Sequence, residues 1–312
     1  MENTPENFQP AHDATHTIIQ WAMAQVPIRA VLLTSTRAIP DSPVDVLSDY
    51  DVILVVQDIH PFVADRSWLD AFGEILVTYW DPIHPDPLFG IDKCASVIQY
   101  SDGLKIDFTL WPVELLQQII AAPVLQAELD AGYQVLLDKD QLTERLRQPT
   151  GKAYVPKPPT DAEYQILIND FLSDAPYVAK CLWRGELMPA KWCLDFDMKH
   201  IYLRQMLEWR MEIDHDWSVP VGLFGKGLRK RLPPAIWSAL EQTYVGPDMA
   251  DNWNALMRTM ELFHQVAMEV GDSLEHTYPD ALHQRVRAYV ERIRQLGDPH
   301  IVDGKKDQHT VE

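Results

Sequence analysis

Two aspartates one residue apart, Asp49 and Asp51, stand at the entrance of a short aliphatic run, residues 52–56. Successive side chains of a β-strand point to opposite faces, so the two carboxylates share a face if this run is a strand. Carboxylates held this close repel each other, and a hard divalent cation, which prefers oxygen ligands, relieves the repulsion. The pair therefore indicates a metal site for phosphate chemistry.

A third aspartate, Asp107, lies in the middle of a second predicted strand, residues 104–110. Leu104, Ile106, Phe108 and Leu110 alternate there with polar residues, so the apolar set faces a core and Asp107 stands on the polar face. A lone strand aspartate is usually just exposed to solvent. In a chain that already has an Asp-x-Asp pair, Asp107 is also a candidate third ligand.

The turn after the first predicted strand, residues 30–33, is rich in hydroxyl groups. Thr34, Ser35 and Thr36 can offer hydroxyl and backbone N–H donors to phosphates, and Arg37 can add a charged donor. Nucleotidyl transfer fits this set, because its in-line attack on the α-phosphorus of a nucleoside triphosphate uses Mg²⁺ held by carboxylates on rigid strands. Asp-x-Asp alone is weak evidence, since the chain has 46 acidic residues, but the whole order of features is more specific.

The charge of the chain limits its partners. The net charge is −19, and residues 1–150, with 8 Lys/Arg and 22 Asp/Glu, carry −14 of it. Such a surface disfavours nucleic acids and anionic membranes and attracts polycations, although taken by itself the charge is more simply explained by solubility. The absence of an apolar run of about 20 residues, of a signal peptide and of a C-x-x-C motif predicts a cytoplasmic protein with reduced cysteines.

The elements that must position these residues follow from periodicity. The first part predicts a mixed set of strands and helices, and the pair Asp102–Gly103 predicts a hairpin. Four prolines within residues 149–159 predict a linker, which divides the chain into domains 1–150 and 151–312. Apolar stripes at helical spacing predict a bundle in the second domain, with a frayed tail after Pro299. The predicted strands are 30–33, 52–56, 74–79, 95–100, 104–110 and 133–137; the predicted helices of the first domain are 13–25, 67–72 (with Ser67 as N-cap) and 112–121.

At this point the sequence resembles the aminoglycoside 6-adenylyltransferases (streptomycin adenylyltransferases) of the polymerase β-type nucleotidyltransferase superfamily. The matching stretches include RAVLLTSTRAIPDSPVDVLSDYDVILVVQDI, DGLKIDFTL, YVAKCLWRGELMPAKWCLD and FGKGLRKRL, in colinear order over roughly residues 13–297. The resemblance implies an α+β nucleotidyltransferase domain, with a mixed sheet flanked by helices, followed by an all-α helical bundle domain. It also implies transfer of AMP from ATP to O-6 of streptomycin with Mg²⁺, releasing pyrophosphate. By position, Asp49 and Asp51 match the metal-binding pair and Asp107 the third carboxylate.

One departure concerns the turn after the first strand, where the superfamily usually has Gly and then Ser. Ser35 and Thr36 stand there, so a Cβ is added where glycine lets the backbone approach a phosphate and tolerates unusual φ values. A second hypothesis therefore stays open. The chain is then a nucleotide-binding relative with weak or no antibiotic activity, or one that adenylylates another small molecule.

The candidate residues for binding the acceptor substrate are Trp183 and Glu186, at the start of the predicted bundle. An aromatic ring and a carboxylate suit a cationic aminoglycoside, and Glu186 or Asp107 is the candidate general base. An ordinary helix-terminal acid is an equally good interpretation of Glu186. The run GKGLRKR places Lys226 and Arg229 as candidates to meet the triphosphate, with a solvated loop as the alternative. Lys180 and Lys191 are weaker candidates of the same kind. No His or Cys spacing predicts zinc, and the chain is expected to be a monomer or a homodimer.

Overall fold

The computed structural model describes residues 14–39 and 42–296 of the chain. It divides into two compact units, Met1–Tyr154 and Val155–Glu312, which we call the sheet unit and the helical unit. A mixed sheet flanked by helices is thus followed by a helical C-terminal region, as the sequence predicts. The assignment of the two parts as nucleotidyltransferase and substrate-binding domains stays a prediction. The predicted frayed tail after Pro299 lies outside the described residues.

The sheet unit contains a seven-stranded sheet in the order β3-β5-β6-β2-β1-β7, with β4 paired to β5. Strands β2 and β6 run parallel, and the other pairs are antiparallel. Each predicted strand is confirmed within a few residues, and β4 is an additional short strand between the predicted strands 74–79 and 95–100. The strands are β1 (Ile28–Thr34), β2 (Tyr50–Val56), β3 (Ile75–Trp80), β4 (His84–Pro85), β5 (Asp92–Tyr100), β6 (Lys105–Pro112) and β7 (Tyr133–Asp138).

The central strands are buried on both faces, which explains their continuous aliphatic runs. Val31 and Leu54 belong to one apolar cluster, which includes Ile18 of helix α1 (Ala14–Ala24). Leu32 and Val55 belong to another, which includes Leu116 of helix α3 (Val113–Ala121). The sheet is therefore clamped between two apolar layers, and the polar groups at the ends of its central strands sit on a rigid support.

Short helices complete the sheet unit. They are α2 (His60–Ala64), α4 (Ala127–Asp130) and the 3₁₀ turns Ser35–Ala38 and Ser67–Phe72. The prediction that Ser67 is an N-cap is wrong: Arg66 holds the cap position, and the backbone N–H of Ser67 donates to the Asp65 carboxylate at 3.0 Å. An acidic side chain two residues earlier can satisfy that N–H as well as a capping hydroxyl does.

The helical unit is built around one apolar core. Its first helix, α5, begins with a capping box between Thr160 and Glu163, which satisfies two backbone N–H groups at the helix start. None of the helices in the described part of the chain is long and apolar enough to cross a membrane. The helices are α5 (Asp161–Trp183), α6 (Leu187–Lys191), α7 (Arg204–Ile213), α8 (Leu228–Arg231), α9 (Pro234–Glu241), α10 (Met249–Leu274) and α11 (Asp280–Gln295).

A π-helix over Trp192–Leu203 connects α6 to α7. The sequence predicts ordinary helical steps through this region, and a π-helix instead bonds each N–H five residues back. Apolar residues spaced three and four apart cannot distinguish an α-helix from a π-helix, because both helices place Leu194 and Met198 on a buried face. The wider turn sets Cys193 and Asp197 beside α5.

Candidate metal and phosphate site

Three carboxylates meet where β2 and β6 begin. Asp51 lies directly opposite Asp107 in the parallel register of the two strands, and Asp49 precedes β2 by one residue. The ammonium of Lys105, two residues before Asp107, lies 2.5 Å from Asp49 Oδ2 and 3.0 Å from Asp107 Oδ2. The structure thus brings together the three predicted metal ligands and adds a lysine between two of them.

The local electrostatics favour an additional cation. Burial raises the pKa of Asp51, and the charges of Asp107 and Asp49 raise it further, against a hydrogen bond from Ser35 and the charge of Lys105. Burial likewise raises the pKa of Asp107, although Lys105 opposes it. Burial lowers the pKa of Lys105, but its bonds to Asp49 and Asp107 outweigh that effect and leave the pKa raised. The single positive charge of Lys105 therefore lies beside three carboxylates and does not neutralise all of them.

The donor set fits a hard divalent cation. Asp107 Oδ1 is buried and has no hydrogen-bond partner among the described residues. A buried carboxylate oxygen without a partner is costly, and a bound cation would supply what it lacks. All the candidate ligand atoms are oxygens, as Mg²⁺ prefers. Asp49, Asp51 and Asp107 are therefore the residues that could hold a metal here.

The hydroxyl turn borders this group. Thr34 ends β1 opposite Asp51, and its hydroxyl donates to the Asp51 carbonyl at 3.4 Å. The hydroxyl of Ser35 donates to the Asp51 carboxylate. Ser35 has a φ of 60°, a left-handed conformation that favours glycine and costs another residue about 1 kcal/mol. The backbone at Ser35 therefore has a conformation that glycine adopts without a steric penalty, with a serine in that place.

Arg37 and Thr36 lie in the same 3₁₀ turn, Ser35–Ala38. The Arg37 guanidinium donates to the carbonyl of Asp49 at 3.0 Å and to that of Ser48 at 2.8 Å, and it lies 3.9 Å from the Tyr50 ring centroid. These contacts brace the loop that carries Asp49. A direct contact of Arg37 or Thr36 with a phosphate stays a prediction.

The remaining predicted site residues belong to the helical unit. Trp183 ends α5 and is half-buried against the helical core, while Glu186 is exposed immediately before α6. Lys226 is exposed between two short turns. Arg229 is exposed in α8, 4.0 Å from Glu241. The structure groups Trp183 with Glu186 and Lys226 with Arg229, and the roles predicted for them stay predictions.

Sequence reasoning missed Lys105. Its signal was present, because Lys105 and Asp107 are two residues apart on one strand and so share a face. The alternation of residues 104–110 indicated that shared face, but it could not show that the long side chain of Lys105 turns toward Asp49.

A second group of possible ligands lies in the helical unit. Atoms of Asp174, Cys193 and Asp197 all lie within 4.8 Å of one another. Burial raises the pKa of the Cys193 thiol, and the neighbouring charges of Asp174 and Asp197 raise it further, so the thiol stays protonated. A protonated thiol is not a metal ligand, and sulfur suits soft metals rather than Mg²⁺. The strand carboxylates therefore fit a hard divalent cation better than this group does.

Comparison with known proteins connects this geometry to a family. Residues 9–293 match the family described as streptomycin adenylyltransferase. The chain is 29% identical over 290 residues to the aminoglycoside 6-adenylyltransferase of Campylobacter jejuni, covering 93% of this chain and 96% of that protein. It is 28% identical over 276 residues to the enzyme of the same name from Bacillus subtilis (strain 168), covering 88% and 94%. A crystal structure of an aminoglycoside 6-adenyltransferase from Bacillus subtilis is 24% identical, covers 90% of this chain and 97% of that chain, and has a TM-score of 0.42.

Proposed function

The chain belongs to the streptomycin adenylyltransferase family, and from that premise we propose that it transfers AMP from ATP to a hydroxyl of an aminoglycoside. The family match confirms the resemblance noted in the sequence, and the matched relatives make the chain an enzyme of the nucleotidyltransferase class. The proposed first acceptor is O-6 of streptomycin, with release of pyrophosphate. The observation that carries the proposal is the opposition of Asp51 and Asp107, with Asp49 beside them.

Asp49, Asp51 and Asp107 would hold Mg²⁺ in this proposal. When bound, the ion neutralises charge that develops on the phosphate oxygens. Lys105 keeps Asp49 and Asp107 close together through its two hydrogen bonds, so the ligands are arranged in advance. Ser35 orients the Asp51 carboxylate in the same way.

The transfer itself needs a base for the acceptor hydroxyl. As the hydroxyl oxygen bonds to the α-phosphorus, the bond from that phosphorus to the β-phosphate oxygen breaks, and pyrophosphate leaves with the electron pair. Asp107 is one candidate base, because a carboxylate has two oxygens: Oδ1, which has no partner among the described residues, would ligate the metal, and Oδ2, which Lys105 contacts, would accept the proton. Glu186 is the other candidate, and its exposure leaves it free to meet an acceptor.

Substrate contacts are proposed within each unit. In the sheet unit, Thr34, Ser35, Thr36 and Arg37 would contact the phosphates. In the helical unit, Lys226 and Arg229 are the cations proposed to bind the triphosphate. Trp183 and Glu186 would bind the acceptor, for which the charge of −14 on residues 1–150 is favourable because an aminoglycoside is cationic.

The direct test is to incubate the protein with ATP, MgCl₂ and streptomycin and to search by mass spectrometry for AMP-streptomycin. Product that disappears when EDTA replaces MgCl₂ supports both the activity and the metal. A panel of other aminoglycosides defines the acceptor. If calorimetry shows that ATP binds while no aminoglycoside in the panel is modified, the proposal fails, and the chain is a nucleotide-binding relative that acts on another small molecule.

A further inference from the structure

A cavity of about 260 Å³ lies in the helical unit, and all of its lining residues belong to that unit. Leu207 and Leu228, which belong to the helical core, form part of its wall. The aromatic side chains of Phe224, Trp237 and Tyr244 line it as well. Sites for small molecules combine such apolar and aromatic walls with a few polar groups, so the cavity is suited to a flat organic group.

Phe224 is unfavourably placed in two respects unless a ligand covers it. Its φ is 54°, in the left-handed region that a residue with a side chain disfavours, and 78% of the residue is exposed. Tyr244, in the same lining, is 48% exposed. Strained backbone is concentrated at ligand-binding sites, and exposed aromatic rings beside a cavity are surface that a ligand can cover. Both rings are therefore available for stacking.

The cations inside the cavity are already paired with acids. Lys199 Nζ donates to Asp195 Oδ1 at 2.8 Å, and the Arg204 guanidinium donates to Glu208 Oε1 at 2.5 Å. Paired charges need no further counter-charge from a ligand. The interior therefore favours an uncharged group.

Positive charge is in excess at the rim of the cavity. The run of residues 226–231 carries four cations, and it follows Gly225 and contains Leu228, both of which line the cavity. Among the ion pairs of the described residues, this run contributes one, a 4.0 Å contact between Arg229 and Glu241. The rim therefore favours the negative end of a ligand and disfavours a cationic one.

We propose that this cavity holds the adenine base of ATP, with Phe224 and Tyr244 as stacking residues and the run 226–231 beside the phosphates. The inference rests on the function proposed above, whose substrates are ATP and an aminoglycoside. ATP combines an uncharged planar base with a negative tail, whereas an aminoglycoside is a cationic sugar. An aromatic interior with a positive rim complements the first and not the second.

Loss of the Phe224 ring is the sharpest test, because the residue is too exposed to be needed for the core. Phe224→Ala should raise the Kd for ATP, measured by calorimetry with MgCl₂, about tenfold, and should leave the Kd for streptomycin unchanged. Leu223→Ala is the matched control, since Leu223 is equally exposed, at 75%, but does not line the cavity. Equal effects of the two variants on ATP would overturn the proposal.

Tyr244 separates stacking from hydrogen bonding. Tyr244→Phe keeps the ring and should bind ATP like the wild type, whereas Tyr244→Leu should raise the Kd about as much as Phe224→Ala does. A Tyr244→Phe variant as weak as Tyr244→Leu contradicts stacking by this ring.

Photolabelling with 8-azido-ATP locates the base without any need for an acceptor. Irradiation of the full chain, followed by digestion and mass spectrometry, should label a peptide that contains Phe224 or one that contains Trp237 and Tyr244, and excess ATP should prevent it. Label confined to other peptides overturns the proposal, as does an unlabelled chain at a concentration where calorimetry shows the probe bound.

These measurements separate this inference from the proposed function. A labelled cavity in a chain that modifies no aminoglycoside supports the base site and removes the aminoglycoside as acceptor. Formation of AMP-streptomycin with no label in the cavity and no effect of Phe224→Ala keeps the function and overturns the base site. A Phe224→Ala variant that loses affinity for streptomycin and not for ATP also overturns it, and assigns the cavity to the acceptor.

Discussion

The two units differ in whether a cation lies beside their clustered acidic groups. In the sheet unit, Lys105 lies between Asp49 and Asp107, and the buried Asp86 carboxylate pairs with Lys93 at 2.9 Å. In the helical unit, Asp174 and Asp197 lie close together around the Cys193 thiol. No ion pair within residues 14–39 and 42–296 includes either of these two aspartates.

The difference shows that closeness of potential ligands does not by itself make a metal site. The strand carboxylates are held by a counter-charge and keep a buried oxygen without a partner, so they suit an added cation. The helical group instead contains an uncharged thiol, because burial and the neighbouring carboxylates raise the pKa of Cys193, and burial with nearby charge also raises the pKa of Asp174. Five experiments can break or sharpen this comparison.

The largest expected effect is on turnover. Asp51→Asn removes one proposed metal ligand and should reduce adenylylation by about 10³-fold or more, since a metal contributes several kcal/mol to such a transition state. The fold should persist, because burial and the nearby charge of Asp107 disfavour the negative charge of Asp51. Asparagine therefore removes no stabilising charge. Circular dichroism and steady-state kinetics check both points. The matched variant Asp197→Asn, in the helical group, should keep near-normal turnover, and the comparison fails if the two variants lose activity equally.

The next effect concerns acid stability of the helical unit. Burial lowers the pKa of His283 to about 4, helped by the charges of His264 and Arg287. The unfolded chain has the ordinary histidine pKa near 6.5, so it binds a proton that the folded chain refuses between pH 6.5 and 4. The free energy of unfolding should therefore fall by about 3 kcal/mol as pH decreases through that window, at about 1.4 kcal/mol per pH unit.

Urea unfolding at several pH values measures this slope. His283→Gln keeps a polar partner for the Tyr278 hydroxyl, which lies 2.8 Å from His283 Nδ1, and cannot titrate. The variant should lose the slope that His283 contributes. An unchanged slope would show that His283 is not the group responsible.

A smaller effect is expected for the counter-charge in the sheet unit. Lys105→Met leaves Asp49 and Asp107 without their cation and should lower the free energy of unfolding by about 2 kcal/mol in EDTA. Mg²⁺ should recover more stability in this variant than in the wild type, because the ion then meets uncompensated carboxylates. Lys105→Arg, which keeps the charge, is the control. Equal stability of Lys105→Met and wild type in EDTA would show that Lys105 does not stabilise Asp49 and Asp107.

The turn after β1 should respond by about 1 kcal/mol. Ser35→Gly relieves the left-handed backbone but loses the hydrogen bond to Asp51, whereas Ser35→Ala loses the same bond and keeps the strain. The glycine variant should therefore be more stable than the alanine variant by about that amount in urea unfolding. ATP titration of the same two proteins compares their affinities for ATP, which depend on how closely the backbone of the turn can approach a phosphate. An alanine variant as stable as the glycine variant would show that the left-handed backbone at residue 35 is not strained.

The smallest effect is expected at the helical group. Burial, together with the charge of Asp197, makes the folded chain hold a proton on Asp174 more tightly than the unfolded chain does. Ionisation of Asp174 therefore costs stability as pH rises through the raised pKa. Asp174→Asn should gain about 0.5 kcal/mol at pH 8 and little at pH 4. Urea unfolding at the two pH values measures the gain. Loss of stability at pH 8 would mean that the carboxylate already has a stabilising partner.

The sheet was largely predictable because its strands alternate or repeat in simple ways. Alternation in 104–110 assigned Ile106 and Phe108 to the core and Asp107 to the other face, and the structure confirms both apolar residues as fully buried. The register that sets Asp51 opposite Asp107 joins residues 56 positions apart, so no local pattern contains it. The family resemblance supplied that link instead.

Other features depend on tertiary contacts that periodicity does not describe. The conformation of Lys105 and the approach of Asp174 to the π-helix arise only when separate elements pack together. The N-cap of Ser67–Phe72 was missed because Asp65, a neighbour outside the turn, satisfies the N–H of Ser67.

The π-helix Trp192–Leu203 also bears on how this family can change length. A π-helix fits more residues into each turn than an α-helix does, and it can return to the narrower form when a residue is lost. We expect single-residue deletions to be tolerated better between Trp192 and Leu203 than inside α5 or α10, where a deletion would rotate every later side chain by about 100° around the helix. Gaps in alignments of relatives should therefore concentrate in this segment.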